Sequence, residues 1–129
     1  MDEVPYSRYA AADGDLVMVA AATYPAFSSR PAAFSRSLVT GELRHRLGYR
    51  GIVMTDALDT VSVAAFGNPA ATGLAAVNAG CDLLLFTEPG PAEASRQALV
   101  RQLQTGSLDP GEFEQSAQRV FDLRASSAP

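Results

Sequence analysis

Asp56 has the clearest chemical opportunity in this sequence. It directly follows an apolar run, in Gly51-Ile-Val-Met-Thr-Asp56-Ala-Leu58. Such a run reads as a buried parallel strand, and parallel α/β folds meet their ligands at the carboxyl ends of strands. A carboxylate there can act as a nucleophile, a general base or a metal ligand. It can equally cap a helix or anchor a loop. Tyr24, in Ala21-Ala-Thr-Tyr24-Pro25 after an earlier apolar run, could line a site for a sugar or a ring. A tyrosine packed on the rim for structural reasons is an equal alternative. Thr87 and Glu88 follow a third run and are expected on the same rim as Asp56, Glu88 more simply as a solvated loop acid. Asp82 opens that third run, at the opposite end, where a structural role is preferred.

The remaining reactive residue types offer less. His45, in Glu42-Leu-Arg-His45-Arg46, reads as part of a solvated helix face. Cys81 is most simply a small buried hydrophobe, and as the only cysteine it excludes an internal disulfide. Gly-rich phosphate loops and metal-ligand spacings are absent, so no cofactor and no metal is expected. All ten basic residues are Arg, which removes every mechanism that needs a lysine. A net charge of −4 without a basic cluster argues against a nucleic-acid partner. No apolar run has the length of a membrane span, and Met1-Asp-Glu-Val-Pro5 does not read as a signal peptide. The compartment, cytoplasmic or secreted, stays open.

These residues must be held by a framework, and the sequence suggests one. Three apolar runs, Leu16–Ala20, Ile52–Thr55 and Leu83–Phe86, lack in-out alternation and fit strands buried on both faces. Helical stretches follow each. Ser35 can cap a helix in which Val39, Leu43 and Leu47 recur, ending at Gly48. Pro69 opens a second helix, with Leu74 and Val77 on one face and Gly80 as its stop. Pro91 opens a third, through Leu99 and Leu103 to Gly106. Asp109-Pro110 starts a last helix with Glu112 placed for a capping box and Phe113, Ala117, Val120, Phe121 and Arg124 on one side. With a short helical piece around Pro5–Ala11, the order is α, then β-α-β-α-β-α-α. Strands that alternate with helices imply parallel pairing with right-handed crossovers. With 129 residues the chain is one domain. Periodicity alone leaves open whether the strands form half of a doubly wound sheet or an arc of a barrel.

The stretch Pro31-Ala-Ala-Phe-Ser35, followed by Leu43-Arg-His-Arg-Leu47-Gly-Tyr-Arg-Gly51-Ile-Val-Met-Thr55-Asp56-Ala-Leu58, resembles glycoside hydrolase family 3. The family reads similarly: Pro-Ala-x-x-Ser, then Leu-Arg-x-x-Leu-Gly-Phe-x-Gly-Val, then Ser/Thr-Asp. Val17-Met18-Val19 through Tyr24-Pro25 is similar to the preceding strand of its β-N-acetylglucosaminidase branch. Ala79-Gly-Cys-Asp-Leu83 is similar to its final strand, and Gly106 through Val120 to its closing helix. The resemblance covers nearly the whole chain.

The resemblance implies an α/β fold, a partial TIM (β/α)8 barrel of about three β-α units plus a C-terminal helix. Residues 1–129 would be the C-terminal portion of the family's barrel domain. It also implies retaining hydrolysis of a terminal β-N-acetylglucosaminide or β-glucoside, with Asp56 as the nucleophile and a carbohydrate as the substrate. The chain departs from the family in two respects. Ala21 stands where the acetylglucosaminidase branch commonly carries a His. The family's sugar-contacting Lys-His motif, and the loop bearing its His-Asp acid/base pair, have no counterpart in this chain. A TIM barrel typically needs about 250 residues. The chain is therefore expected to be a fragment that lacks the N-terminal barrel half and is inactive alone. Two other readings compete. A receiver-like phosphoacceptor domain also places an Asp after a parallel strand, but needs an acidic pair after the first strand and a lysine. A non-catalytic α/β piece used for packing or binding needs no further residues.

Overall fold

The computed structural model describes residues 3–127. Helix α1 (Val4–Ala11) has Pro5 in its first turn, where a missing N–H costs nothing. Its Tyr9 hydroxyl donates to the Leu16 carbonyl at 3.1 Å and accepts from the Leu16 amide at 3.3 Å, so α1 is fastened to the start of the sheet. Strands β1 (Leu16–Val19) and β2 (Ile52–Thr55) pair in parallel, with Leu16 opposite Ile52 and Val19 opposite Thr55.

The third apolar run lies along the other edge of β2, as its sequence order predicts. However, it forms only one parallel bridge, Met54 to Leu83, and not a regular strand. The reason is local. The Thr55 amide donates to the Leu83 carbonyl at 3.0 Å, but the Leu85 amide turns to the Thr55 hydroxyl at 3.0 Å instead of a backbone carbonyl. A side chain replaces the next rung of the ladder. Among the described residues the sheet is therefore two regular strands and one attached segment.

The expectation of strands buried on both faces holds at the start of β2, where Ile52 and Val53 are both buried, and fails at Met18 and Leu85. Val17, Val19, Leu84 and Phe86 pack against a core that includes Val39, Leu43, Val53, Ala76 and Ala79. Side chains alternate along a strand, so the other face carries Met18, Met54, Leu83 and Leu85. Met18 is 50% exposed and Leu85 37%. No described element covers these two, so this face of the sheet is open at Met18 and Leu85 while Ile52 on the same face is buried.

The segment Ser37–Arg46 is wound as a π helix, with the Leu47 amide donating to the Glu42 carbonyl five residues back at 3.0 Å. Ser35 caps it: its Oγ accepts from the Leu38 amide at 3.4 Å. Val39 and Leu43 turn inward on this winding. The short helix α2 (Val61–Ala64) follows β2. Helix α3 (Pro69–Ala79) is capped by Asn68, whose side chain accepts from the Ala71 amide at 3.0 Å. It ends on Gly80, at a φ of 109° that a side chain would strain. The π helix then satisfies carbonyls at this end, through Thr40 to Ala79 at 2.8 Å and Arg44 to Gly80 at 3.2 Å.

Helix α3 buries Thr72, Gly73, Ala76 and Ala79, while Leu74 and Val77 are only half-buried. Small residues win this face because α4 (Pro89–Gln104) lies very close. A Cβ on Gly73 would stand 1.8 Å from the Ser95 Oγ of α4. Helix α4 opens at Pro89, two residues before the expected start. Helix α5 (Pro110–Ser126) is capped by Asp109, which accepts from the Glu112 amide at 2.8 Å. The reciprocal half of the capping box is absent, because the Glu112 carboxylate pairs with Arg36 at 2.6 Å. The inward side of α5 runs through Phe113, Ser116, Ala117, Val120 and Leu123, and Phe121 is 63% exposed.

Candidate active site

Asp56 stands at the carboxyl end of β2. Its amide donates to the Val19 carbonyl at 3.0 Å, which brings the ends of β1 and β2 to one level. The Asp56 side chain is exposed, and its Oδ1 accepts from the next amide, Ala57, at 2.7 Å. It does not cap α2, whose N-cap is Thr60. The period of the strand assigns Asp56 to the face of Met54, the open face of the sheet. The residues behind it are packed: Thr55 is fully buried, and Ala57 and Leu58 are buried at 8% and 3% exposure. The Leu58 amide donates to the Leu85 carbonyl at 2.9 Å. An accessible, well-positioned carboxylate is what attack on an electrophilic carbon requires.

The loops after the other two strand positions reach the same rim. Tyr24 sits in the loop after β1 and is 48% exposed. Its carbonyl accepts from the Phe27 and Ser28 amides, and Thr23 bridges to Pro31. No hydrogen bond links Tyr24 to Asp56 among the described residues. Thr87 and Glu88 follow the third run and meet Asp59 of the β2 loop. The Asp59 carboxylate accepts from the Thr87 amide and hydroxyl at 2.8 and 2.9 Å and from the Glu88 amide at 3.0 Å. These donors, the Thr87 amide foremost, hold the Asp59 carboxyl below its ordinary range. The motifs in the sequence pass over Asp59, because its partners lie 28 and 29 residues away and no short spacing announces them.

Asp82 plays the structural role expected of it. Its side chain is fully buried and accepts from the Arg44 guanidinium at 2.5 Å, the Val53 amide at 2.9 Å, the Ser116 hydroxyl at 2.7 Å and the Arg119 guanidinium at 2.8 Å. The carboxylate thus joins β2, the π helix and α5. Asp82 lies at the end of the run that its sequence position predicts, while its partners Arg119 and Ser116 are distant along the chain and no motif announces them. Burial pushes the Cys81 thiol up to about 12, so it stays protonated, in keeping with a packing residue. His45 is exposed.

Two surface clefts lie elsewhere. One of about 250 Å3 lies between the π helix and α5 and is lined by Arg36, His45, Glu112 and Arg119. Another of about 340 Å3 opens near Asp15 and Gly51, at the amino ends of the strands. Asp56 lines neither. The rim around Asp56 is a more convincing reactive surface than either cleft, because strand ends gather loops and exposed polar groups there. Among the described residues no cluster of His, Cys, Asp and Glu could hold a metal ion, and no helix is long and apolar enough to cross a membrane.

Comparison with known proteins bears on this arrangement. The chain is 41% identical over 128 residues to an uncharacterized secreted glycosyl hydrolase of Arthroderma benhamiae, covering 96% of this chain and 36% of that protein. It is 41% identical over 99 residues to a β-hexosaminidase of Chromobacterium violaceum, covering 76% of this chain and 28% of the relative. It superposes on a glycoside hydrolase family 3 β-N-acetylglucosaminidase from Paenibacillus sp. with a TM-score of 0.89 and 30% identity, over 97% of this chain and 25% of that structure. The chain thus spans about a third of the length of the sequence relatives it matches. Its mixed α/β fold is that of the corresponding region in those enzymes. The profile of the glycosyl hydrolase family 3 N terminal domain matches residues 1–123, and the chain belongs to glycoside hydrolase family 3.

Proposed function

We propose that this chain is the C-terminal portion of a glycoside hydrolase family 3 (β/α)8 barrel and supplies the nucleophile, Asp56, of a retaining β-glycosidase. The observation that carries the reading is the exposed Asp56 carboxylate at the carboxyl end of β2, between buried neighbours and on the face of Met54. The open face supports the barrel reading as well. Met18 and Leu85 present apolar surface that further parallel strands, curving round to close a barrel, would cover. The substrate is a terminal β-N-acetylglucosaminide or β-glucoside, a reading supported by the β-hexosaminidase and β-N-acetylglucosaminidase names of the relatives.

In this reaction the ionised Asp56 attacks the anomeric carbon while an acid from the rest of the barrel protonates the leaving oxygen. A covalent glycosyl-enzyme forms and water then hydrolyses it, the acid now serving as base. Tyr24, exposed on the neighbouring loop, is a candidate wall for the sugar. The chain by itself turns over neither substrate, because protonation and most of the sugar contacts come from the missing units.

The test joins this chain to the preceding barrel residues of the Chromobacterium relative and assays aryl β-N-acetylglucosaminide and aryl β-glucoside. Turnover that disappears in Asp56→Ala, with an unchanged circular dichroism spectrum, supports the reading. A folded Asp56→Ala variant that keeps its activity removes Asp56 as nucleophile. Turnover by the 129-residue chain alone would show that the remaining units are unnecessary.

A further inference from the structure

Asp59 lies three residues beyond Asp56, where the backbone pairing of β2 with the third run stops. That pairing fades in steps: Thr55 donates to Leu83, Leu58 donates to Leu85, and after Leu58 the chain turns away into α2. From there the Asp59 side chain takes over the attachment. Its Oδ2 accepts from the Thr87 amide at 2.8 Å, the Thr87 hydroxyl at 2.9 Å and the Glu88 amide at 3.0 Å, and its Oδ1 accepts from the Thr87 amide at 3.0 Å. A carboxylate suits this set because it only accepts, and all its partners donate. The loop that carries Asp56 is thereby held on both sides, by the Val19 carbonyl at one end and by Thr87 and Glu88 at the other.

We propose that Asp59 is a positioning residue for Asp56: by fastening the β2 loop to Thr87 and Glu88 it fixes where the Asp56 carboxylate stands above the strand ends. This rests on the reading of Asp56 as the nucleophile. The core does not depend on the clasp, since Leu58 and Val63, at 3% and 0% exposure, anchor the same loop from beneath. Without Asp59 the loop stays attached while the height and direction of its reactive acid drift. A misplacement of about 1 Å can cost about 10²-fold in rate.

Steady-state kinetics of the joined barrel test this, with kcat and KM measured separately for Asp59→Ala, Asp59→Asn and Thr87→Val. Asp59→Ala should lower kcat by about 10- to 100-fold, with KM changed much less and the melting temperature nearly unmoved. Asp59→Asn should lose less than Asp59→Ala, because its amide oxygen can take the place of Oδ2 while its N–H2 faces only the Thr87 amide. Thr87→Val removes the hydroxyl donor alone and should cost only a few-fold. A second readout needs no turnover. The Asp56 carboxyl carbon resonance of the 129-residue chain, identified by its absence in Asp56→Ala, should shift in Asp59→Ala. Parental kcat in Asp59→Ala, or an unmoved Asp56 resonance, overturns the proposal. Activity that survives Asp56→Ala overturns the nucleophile reading instead, so the two failures appear in different variants.

Discussion

Asp56 and Asp82 are the same residue type at opposite ends of neighbouring strand positions, and their surroundings differ in every respect. Asp82 is fully buried and its two oxygens are filled by two guanidinium groups, a hydroxyl and a backbone amide. Asp56 is exposed and spends one oxygen on the adjacent amide. A buried charge persists only when paired and hydrogen-bonded, so the end of the molecule around Asp82 is committed to structure. Asp56 keeps its carboxylate accessible, which is what the proposed nucleophile role needs. The contrast shows how the same residue type is committed to structure at one strand end and left accessible at the other.

Substitutions at the two positions should therefore fail in opposite ways. In the joined barrel, Asp56→Ala should lower kcat by at least about 10³-fold, as removal of a nucleophile commonly does. Its urea midpoint should stay close to the parent's, because surface changes away from packed features are nearly neutral. Asp82→Ala should do the reverse in stability, costing about 3–5 kcal/mol by leaving two arginines without their buried partner. Urea unfolding of the 129-residue chain measures it, and a loss under about 1 kcal/mol would mean that water replaces the carboxylate easily.

A smaller effect sharpens the comparison at helix ends. Asp109 and Asn68 are aspartate and asparagine used purely as caps. Asp109→Ala and Asn68→Ala should each cost about 1 kcal/mol, read by the same unfolding curves. Equal losses at Asp82 and Asp109 would erase the distinction between a buried hub and an ordinary cap.

The smallest effect concerns pH. Asp59 has a folded-state carboxyl below its ordinary range, because the Thr87 and Glu88 donors favour the charged form. A depressed carboxyl stabilises the clasp above its unfolded value, near about 3.9. That contribution is lost as pH falls through the folded value. Thr87 and Glu88 amide shifts should therefore hold steady through neutral pH and move only below the usual carboxylate range. Movement already near pH 5 would show that the clasp is weaker than its geometry.

Much of the local structure was legible along the chain. Ile52–Thr55 is a strand with the expected bounds, and Asp109-Pro110 and Pro69 open helices where their chemistry requires. The helix starts need partners only a few residues away, and the strand shows as one unbroken apolar run. The third run was legible as an extended segment but not as an incomplete one, because Thr55 diverts the Leu85 amide across 30 residues. The packing of α3 was not legible for the same reason: Leu74 and Val77 share a face, but the approach of α4 at Gly73 decides which residues are buried. The π winding of Ser37–Arg46 has no counterpart in its pattern, since a repeat of four fits either helix.

By itself the sequence determined the parallel β-α order, the caps, the family resemblance and Asp56 as the candidate acid, because each depends on short-range pattern or on a motif read in one stretch. Only the tertiary structure decided that Asp59 clasps Thr87 and Glu88, and that Arg44 and Arg119 converge on Asp82. Those outcomes depend on which distant segments meet, and side chains far apart in sequence acquire partners only when packing brings them within hydrogen-bonding distance.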